Sequence, residues 1–203
     1  MTILLSIFEY LGIFVFAISG LLTASEKRLD YFGGMVIAFF TALGGGTIRD
    51  LLLNTEVRWM ESSSLIFTAL SGAVIGIIFK QQLIHLKRTF FIFDTIGLGL
   101  FTILGIQKGL EFQQIPVTSL FLGLISATFG GVIRDVLCNE IPLIFRKEIY
   151  ATAGIVGGLC YLGFFLVGWN NEFTLILGVL IIILIRFLSV MFGWKMPLLS
   201  KEN

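Results

Sequence analysis

Gly44-Gly45-Gly46-Thr47-Ile48-Arg49-Asp50 lies inside an apolar run from Phe32 to Leu53. That run is long enough to cross a bilayer, which takes about 20 residues of helix. Glycine is a poor helix interior, costing about 1 kcal/mol relative to alanine. An arginine or an aspartate costs roughly 2.5–3.5 kcal/mol near the centre of a membrane helix. A mere anchor would carry neither liability. The device then recurs 85 residues on, as Phe129-Gly130-Gly131-Val132-Ile133-Arg134-Asp135 in a second apolar run. Two spans interrupted at matching points are the sequence pointer to a site near the membrane midplane. The sequence therefore predicts helices broken at Gly44–Gly46 and at Gly130–Gly131.

The whole chain fits a membrane. Of its 203 residues 57% are hydrophobic and 13% charged, and the mean hydropathy is +0.99. A soluble domain carries about 25% charged residues. Seven apolar runs are present, at about 3–22, 32–53, 65–79, 90–106, 117–137, 150–167 and 173–192. The fold class is all-α integral membrane protein. The first run has no basic residue ahead of it and contains Glu9, unlike a signal peptide.

The repeat is wider than the glycine motif. At the same offset of 85, Glu9 matches Asp94, Gly12 matches Gly97 and Gly20 matches Gly105. Asn54 matches Asn139 and Gly72 matches Gly157. Each repeat holds three spans, an odd number, so the second enters the membrane from the opposite side. The expected organisation is a first three-helix unit at 1–88, an inverted second unit at 89–170, and a seventh helix with its tail at 171–203.

Loop charges orient the chain. Face A is the side on which the chain begins; its loops carry Arg58 and Lys108. Face B carries Lys27, Arg28, Lys80, Lys87, Arg88, Arg146, Lys147, Lys195 and Lys201. Basic loops stay in the cytoplasm. The expected arrangement is a multi-pass protein of the cell (inner) membrane, its N-terminus outside and its C-terminus inside. Trp59 and Trp169 on one face, with Trp194 on the other, suit interfacial belts.

The buried charges are the candidate site. Arg49 lies four residues past Gly45, between the glycines and face A, at about the depth of Glu9. Two symmetry-related ion pairs are expected, Glu9 with Arg49 and Asp94 with Arg134. The competing possibility is that the arginines snorkel to the interface. Asp50 and Asp135 are expected to point away from the arginines beside them, because residues i and i+1 do not share a helix face. They would then flank an aqueous vestibule or act as secondary partners. Phe129 stands where the first repeat has Gly44, and either gates a constriction or simply packs. Arg186, in the seventh span, has no partner that sequence can name.

Other chemistry is thin. The only histidine, His85, is expected in the basic loop Lys80–Arg88 and lacks partners for a metal site. Cys138 and Cys160 read as small buried hydrophobes. No catalytic set, phosphate loop, metal spacing or cofactor motif is found, so an enzyme is not expected. The net charge of +1 gives no case for nucleic acid.

The paired signatures GGGTIRD and FGGVIRD, in seven spans arranged as an inverted repeat, resemble the prokaryotic branch of the trimeric intracellular cation channel (TRIC) family. Related bacterial proteins also carry a "glycine transporter" label. The resemblance implies a homotrimer in the lipid bilayer, each protomer holding its own pore for monovalent cations, chiefly potassium and possibly sodium. It places Gly44, Gly45, Gly46, Gly130 and Gly131 at kinks that shape that pore. The Lys-Glu-Val motif of animal members is absent from the fourth span, so their regulation does not carry over. On physical grounds alone, a secondary transporter of a small solute such as an amino acid fits the same broken repeat.

Overall fold

The computed structural model describes residues 3–85, 89–169 and 172–197, with the side chains of 80–89 excepted. Its helices are α1 (Ile3–Glu26), α2 (Tyr31–Leu52), the one-turn α3 (Arg58–Glu61), α4 (Ser63–His85), α5 (Thr89–Glu111), α6 (Pro116–Leu137), α7 (Ala151–Leu166) and α8 (Glu172–Met191). A 3-10 turn at Leu143–Phe145 precedes α7. The seven long helices follow the seven apolar runs but outlast several of them. α4 runs six residues past Phe79, so His85 is helical rather than in a loop. The side chains of Lys80 and His85, and residues Lys87, Arg88 and Lys201, lie outside the described residues.

Local chemistry sets the helix ends, and it repeats. Asp30 caps α2 by accepting from the Gly33 amide at 2.7 Å. Pro116 opens α6 at a position where its missing N–H costs nothing. Asn54 and Asn139 end α2 and α6 in the left-handed region, at φ 52° and 54°. The next amide closes each motif, Thr55 onto Asp50 O at 3.0 Å and Glu140 onto Asp135 O at 2.8 Å. Arg28 and Gln113, also 85 apart, do the same for α1 and α5 at φ 58° and 56°. Asparagine tolerates this region better than arginine or glutamine, and only the asparagine match stands out in the sequence.

Two crossings lie at the centre. In the first, α1 meets α5 through Phe16 and Phe101, which are repeat mates and stack with ring centroids 5.3 Å apart. Each ring is received by a glycine of the other helix. A Cβ on Gly12 would fall 2.9 Å from Phe101, and one on Gly97 2.3 Å from Phe16. In the second, α2 meets α6. A Cβ on Gly45 would fall 2.1 Å from Ser126 O, and one on Gly130 2.2 Å from Thr41 O. Thr41 and Ser126 are themselves mates, so a pseudo-two-fold axis runs through both crossings.

This corrects the expected helix breaks. α2 is helical throughout Gly44–Gly46 and α6 throughout Gly130–Gly131. The glycines remove side chains so that two backbones can touch. Small residues one turn apart are the usual sign of that geometry, and Thr41 with Gly45, and Ser126 with Gly130, supply it. Apolar burial does the rest: Leu98, Ile103, Ile106 and Ile182 are wholly inaccessible.

α8 breaks the symmetry. On α1, Gly72 of α4 packs against Phe14 O. The mate of Phe14 on α5 is Gly99, which meets Val179 and Ile183 of α8 instead. The seventh helix thus takes, on α5, the place that α4 takes on α1.

Candidate functional site

Six ionisable side chains are buried around the α2–α6 crossing: Glu9, Arg49, Asp50, Asp94, Arg134 and Asp135, none more than 6% exposed. Toward face B, Arg134 Nη1 donates to Asp94 Oδ1 at 2.6 Å and to Ser19 Oγ at 2.9 Å. Its Nε donates to Asp135 Oδ1 at 2.8 Å, and Phe90 lies under the guanidinium at 4.6 Å. Asp135 Oδ2 accepts from the Leu143 amide at 3.0 Å, fixing the 3-10 turn. One arginine therefore meets two carboxylates, with Arg134 and Asp94 wholly buried and Asp135 3% exposed. Such a group is costly to break, since either partner left alone is a buried unpaired charge.

Toward face A the matching residues meet different partners. Arg49 Nη2 lies 2.7 Å from Asp50 Oδ1, and its Nη1 donates to Ser126 Oγ at 3.3 Å. Glu9 does not meet Arg49. Its Oε2 accepts from Arg58 Nε at 2.8 Å. The expected Glu9–Arg49 pair is replaced because Arg58, at the start of α3, reaches in from the loop. Asp50 anchors that loop: its Oδ2 accepts from the Arg58 amide at 3.2 Å, the counterpart of the Asp135–Leu143 bond. Lys108 Nζ adds a further contact to Asp50 Oδ1 at 2.8 Å.

Both adjacent Arg–Asp contacts overturn the expectation that Asp50 and Asp135 face away. The helix-face rule concerns straight side chains. An arginine long enough to curl along its own helix can reach the next carboxylate once water is excluded.

A cavity opens beside each set of charges. At face A it measures about 350 Å³ and is lined by Glu9, Arg49, Glu56, Arg58, Glu61, Lys108 and Glu111, among others. At face B it measures about 130 Å³ and is lined by Glu26, Lys27, Asp135, Glu140 and Arg146, among others. Residues 58, 61 and 111 of the first correspond to 143, 146 and 26 of the second, so these are one cavity repeated. Their mouths differ. At face B, Glu140 binds Lys27 and, at 3.0 Å, Arg146. The Lys27 hydrogen bond holds the Glu140 carboxyl below the usual carboxylate range. At face A the mates of those three are Thr55, Phe112 and Glu61. The Glu61 carboxyl is pushed up instead, first by a hydrogen bond with Glu56 and then by that neighbour's charge.

The remaining sequence candidates fall elsewhere. Phe129 is 36% exposed on the outer side of α6 and lines neither cavity. Gly46 and Gly131 lie against the arginines: a Cβ there would sit 3.7 Å from Arg49 Nη2 and 3.5 Å from Arg134 Nη2. Gly44 would meet only Ile133 of α6. Trp59, expected in an interfacial belt, donates to Thr47 Oγ1 at 2.9 Å and packs edge-on against Phe39. Arg186 gains partners: it donates to Ile149 O at 2.8 Å and stands over the rings of Phe91 and Tyr150. The described residues hold no group of three or more metal-ligating side chains.

Apolar helices packed around matched buried charges, with mated contacts at both central crossings, define an all-helical membrane protein built on an internal repeat. Residues 6–81 and 91–165 match the family described as Glycine transporter. The UPF0126 membrane protein of Vibrio cholerae is 35% identical, covering 97% of this chain and 83% of its own length. The UPF0126 inner membrane protein YadS of Escherichia coli is 34% identical over 96% of both chains. Among solved structures, the TRIC trimeric intracellular cation channel orthologue from Rhodobacter sphaeroides superposes with a TM-score of 0.90. It is 33% identical and covers 95% of this chain and 100% of that one. A prokaryotic TRIC channel in 0.5 M KCl gives 0.87 at 32% identity, covering 95% and 98%. The chain belongs to this family, the prokaryotic TRIC proteins that also carry the glycine transporter description.

Proposed function

We propose that the chain is a cation channel selective for monovalent ions, chiefly potassium, with one pathway through each protomer of a homotrimer. The observation that carries this reading is the pair of mated cavities, entering from opposite faces and approaching the α2–α6 crossing. Glu9, Arg49 and Asp50 flank the pathway from face A; Asp94, Arg134 and Asp135 flank it from face B. Gly45 and Gly130 form the central contact, and Gly44, Gly46 and Gly131 border it. Four glutamates against three basic residues line the face-A cavity, which favours cations over anions there. In this reading residues 1–88 and 89–170 are the two inverted halves, and 171–203 adds the seventh helix and tail. Face A is outside and face B cytoplasmic, following the basic loops. The solved relatives named as cation channels support conduction and trimer formation.

The test is potassium flux from liposomes holding the purified protein. Cation-selective efflux that does not saturate with concentration supports a channel. Saturable uptake of glycine without cation leak would replace this reading with the transporter that the family description names.

A further inference from the structure

We propose that Lys108 sets the valence selectivity of the face-A half, an inference resting on the cation-pathway reading above. Its ammonium holds the place that a divalent cation would otherwise take beside Asp50. Lys108 lies in the last turn of α5 and lines the face-A cavity. Its Nζ stands 2.8 Å from Asp50 Oδ1, and its side chain is 18% exposed.

The buried pair does not require this lysine. Asp50 already has Arg49 Nη2 at 2.7 Å and the Arg58 amide at 3.2 Å. Its mate Asp135 is served by the corresponding two groups, Arg134 and the Leu143 amide. The mate of Lys108 is Thr23. Thr23 also borders its own cavity, but its hydroxyl turns back onto Ser19 O at 3.1 Å. Face A therefore holds one cation in excess of what the shared fold needs. A lysine in the last turn of a helix complements its dipole, yet an ammonium in open water would do that without being desolvated.

The excess charge faces acids. Glu56, Glu61 and Glu111 line the same cavity and stand outside the ion pairs of Glu9 and Asp50. Their mates Ile141, Arg146 and Glu26 are together neutral. The positive field of Arg58 and Lys108 reaches Glu61 and lowers its carboxyl against the rise that Glu56 imposes. Acids at a mouth concentrate divalent cations more than monovalent ones, because Coulomb energy scales with charge. A fixed ammonium opposes them by the same rule: the factor by which it thins potassium is squared for a divalent ion. No group of three metal-ligating side chains exists among the described residues, so the discrimination is one of field and not of coordination.

Planar-bilayer recording in potassium chloride, with magnesium chloride added to one face, tests this on the reconstituted full chain. Magnesium gives up its water reluctantly and so reads the field. Lys108→Met should raise potassium current entering from face A about threefold and lower the half-blocking magnesium concentration there about ninefold, the square of that factor. Block from face B should not change. Lys108→Arg, which keeps the charge, should restore the wild-type magnesium block. A lysine that merely braces Asp50 would give neither the squared relation nor the restriction to one face. In the opposite direction, Thr23→Lys should raise the half-blocking concentration at face B by about ninefold. Equal block, or none, in wild type and in assembled Lys108→Met overturns the role of Lys108 alone. Should that variant not assemble, unchanged face-B block in Thr23→Lys overturns it equally. No current from any form, wild type included, overturns the pathway reading as well.

Discussion

The face-A and face-B halves share a backbone and differ in their charges. Mated glycines, mated Arg–Asp neighbours and mated left-handed caps occur in both. Yet Asp94 stays with Arg134 in complete burial, whereas Glu9 leaves Arg49 for Arg58, whose side chain is 42% exposed. The difference shows which features the fold depends on. Two backbones in contact leave no latitude, so Gly45 and Gly130 match. A buried charge needs only some partner, and Arg58 at the start of α3 serves Glu9 as well as Arg49 of α2 would.

The sharpest way to break this comparison is at the crossing. Gly45→Ala puts a methyl group 2.1 Å from Ser126 O, a backbone atom that cannot swing away. We expect it to destabilise by about 3 kcal/mol, the upper range for overpacking. Gly46→Ala, one residue on, meets nothing closer than 3.7 Å and should be neutral, or stabilising by up to about 1 kcal/mol through helix propensity. Thermal unfolding in detergent separates the two. Equal losses would return the glycines to the role of helix breakers.

Next in size is the arginine pair. Arg134→Met strands Asp94 in full burial and leaves Asp135 without its arginine, and should cost about 3–5 kcal/mol. Arg49→Met should cost less, because Asp50 keeps Lys108 at 2.8 Å. A larger loss at Arg49, read from the same unfolding midpoints, would deny that the extra face-A partners matter.

The acids come third. Asp94→Asn leaves Arg134 short of one charge in full burial, whereas Glu9→Gln weakens a pair whose other member, Arg58, is 42% exposed and can be rehydrated. The order Asp94 above Glu9 is the expected result, and the reverse would mean that the Arg58 contact is not the stable one.

The smallest effect is the pH dependence of the mouths, and its sign differs between faces. Glu140 is held below 4.5, so its contribution is present above that pH and is lost as pH falls through the lowered value. Glu61 is raised above 4.5, so its contribution is present below that pH and is lost as pH rises through the raised value. Glu140→Gln should therefore cost stability at neutral pH and not at strongly acid pH, whereas Glu61→Gln should cost none at neutral pH. Unfolding midpoints across the acid range check both signs.

Much of this was legible in the sequence, and the parts that were not share a cause. The seven runs, the offset of 85 and the charged positions follow from hydropathy and self-comparison. Whether Gly44–Gly46 breaks a helix or lets another approach is a tertiary question, since local propensity is the same in both cases. The available clue was the small residue one turn earlier, Thr41 before Gly45 and Ser126 before Gly130. Arg58 was read as a loop charge because nothing local says that α3 folds back toward Glu9.

The central claim is that the two mated cavities belong to one cation pathway. Single-channel recording of the reconstituted protein in asymmetric potassium chloride tests it most directly. The account predicts discrete current steps reversing near the potassium equilibrium potential. Folded protein that yields no steps, yet takes up glycine saturably, would contradict it.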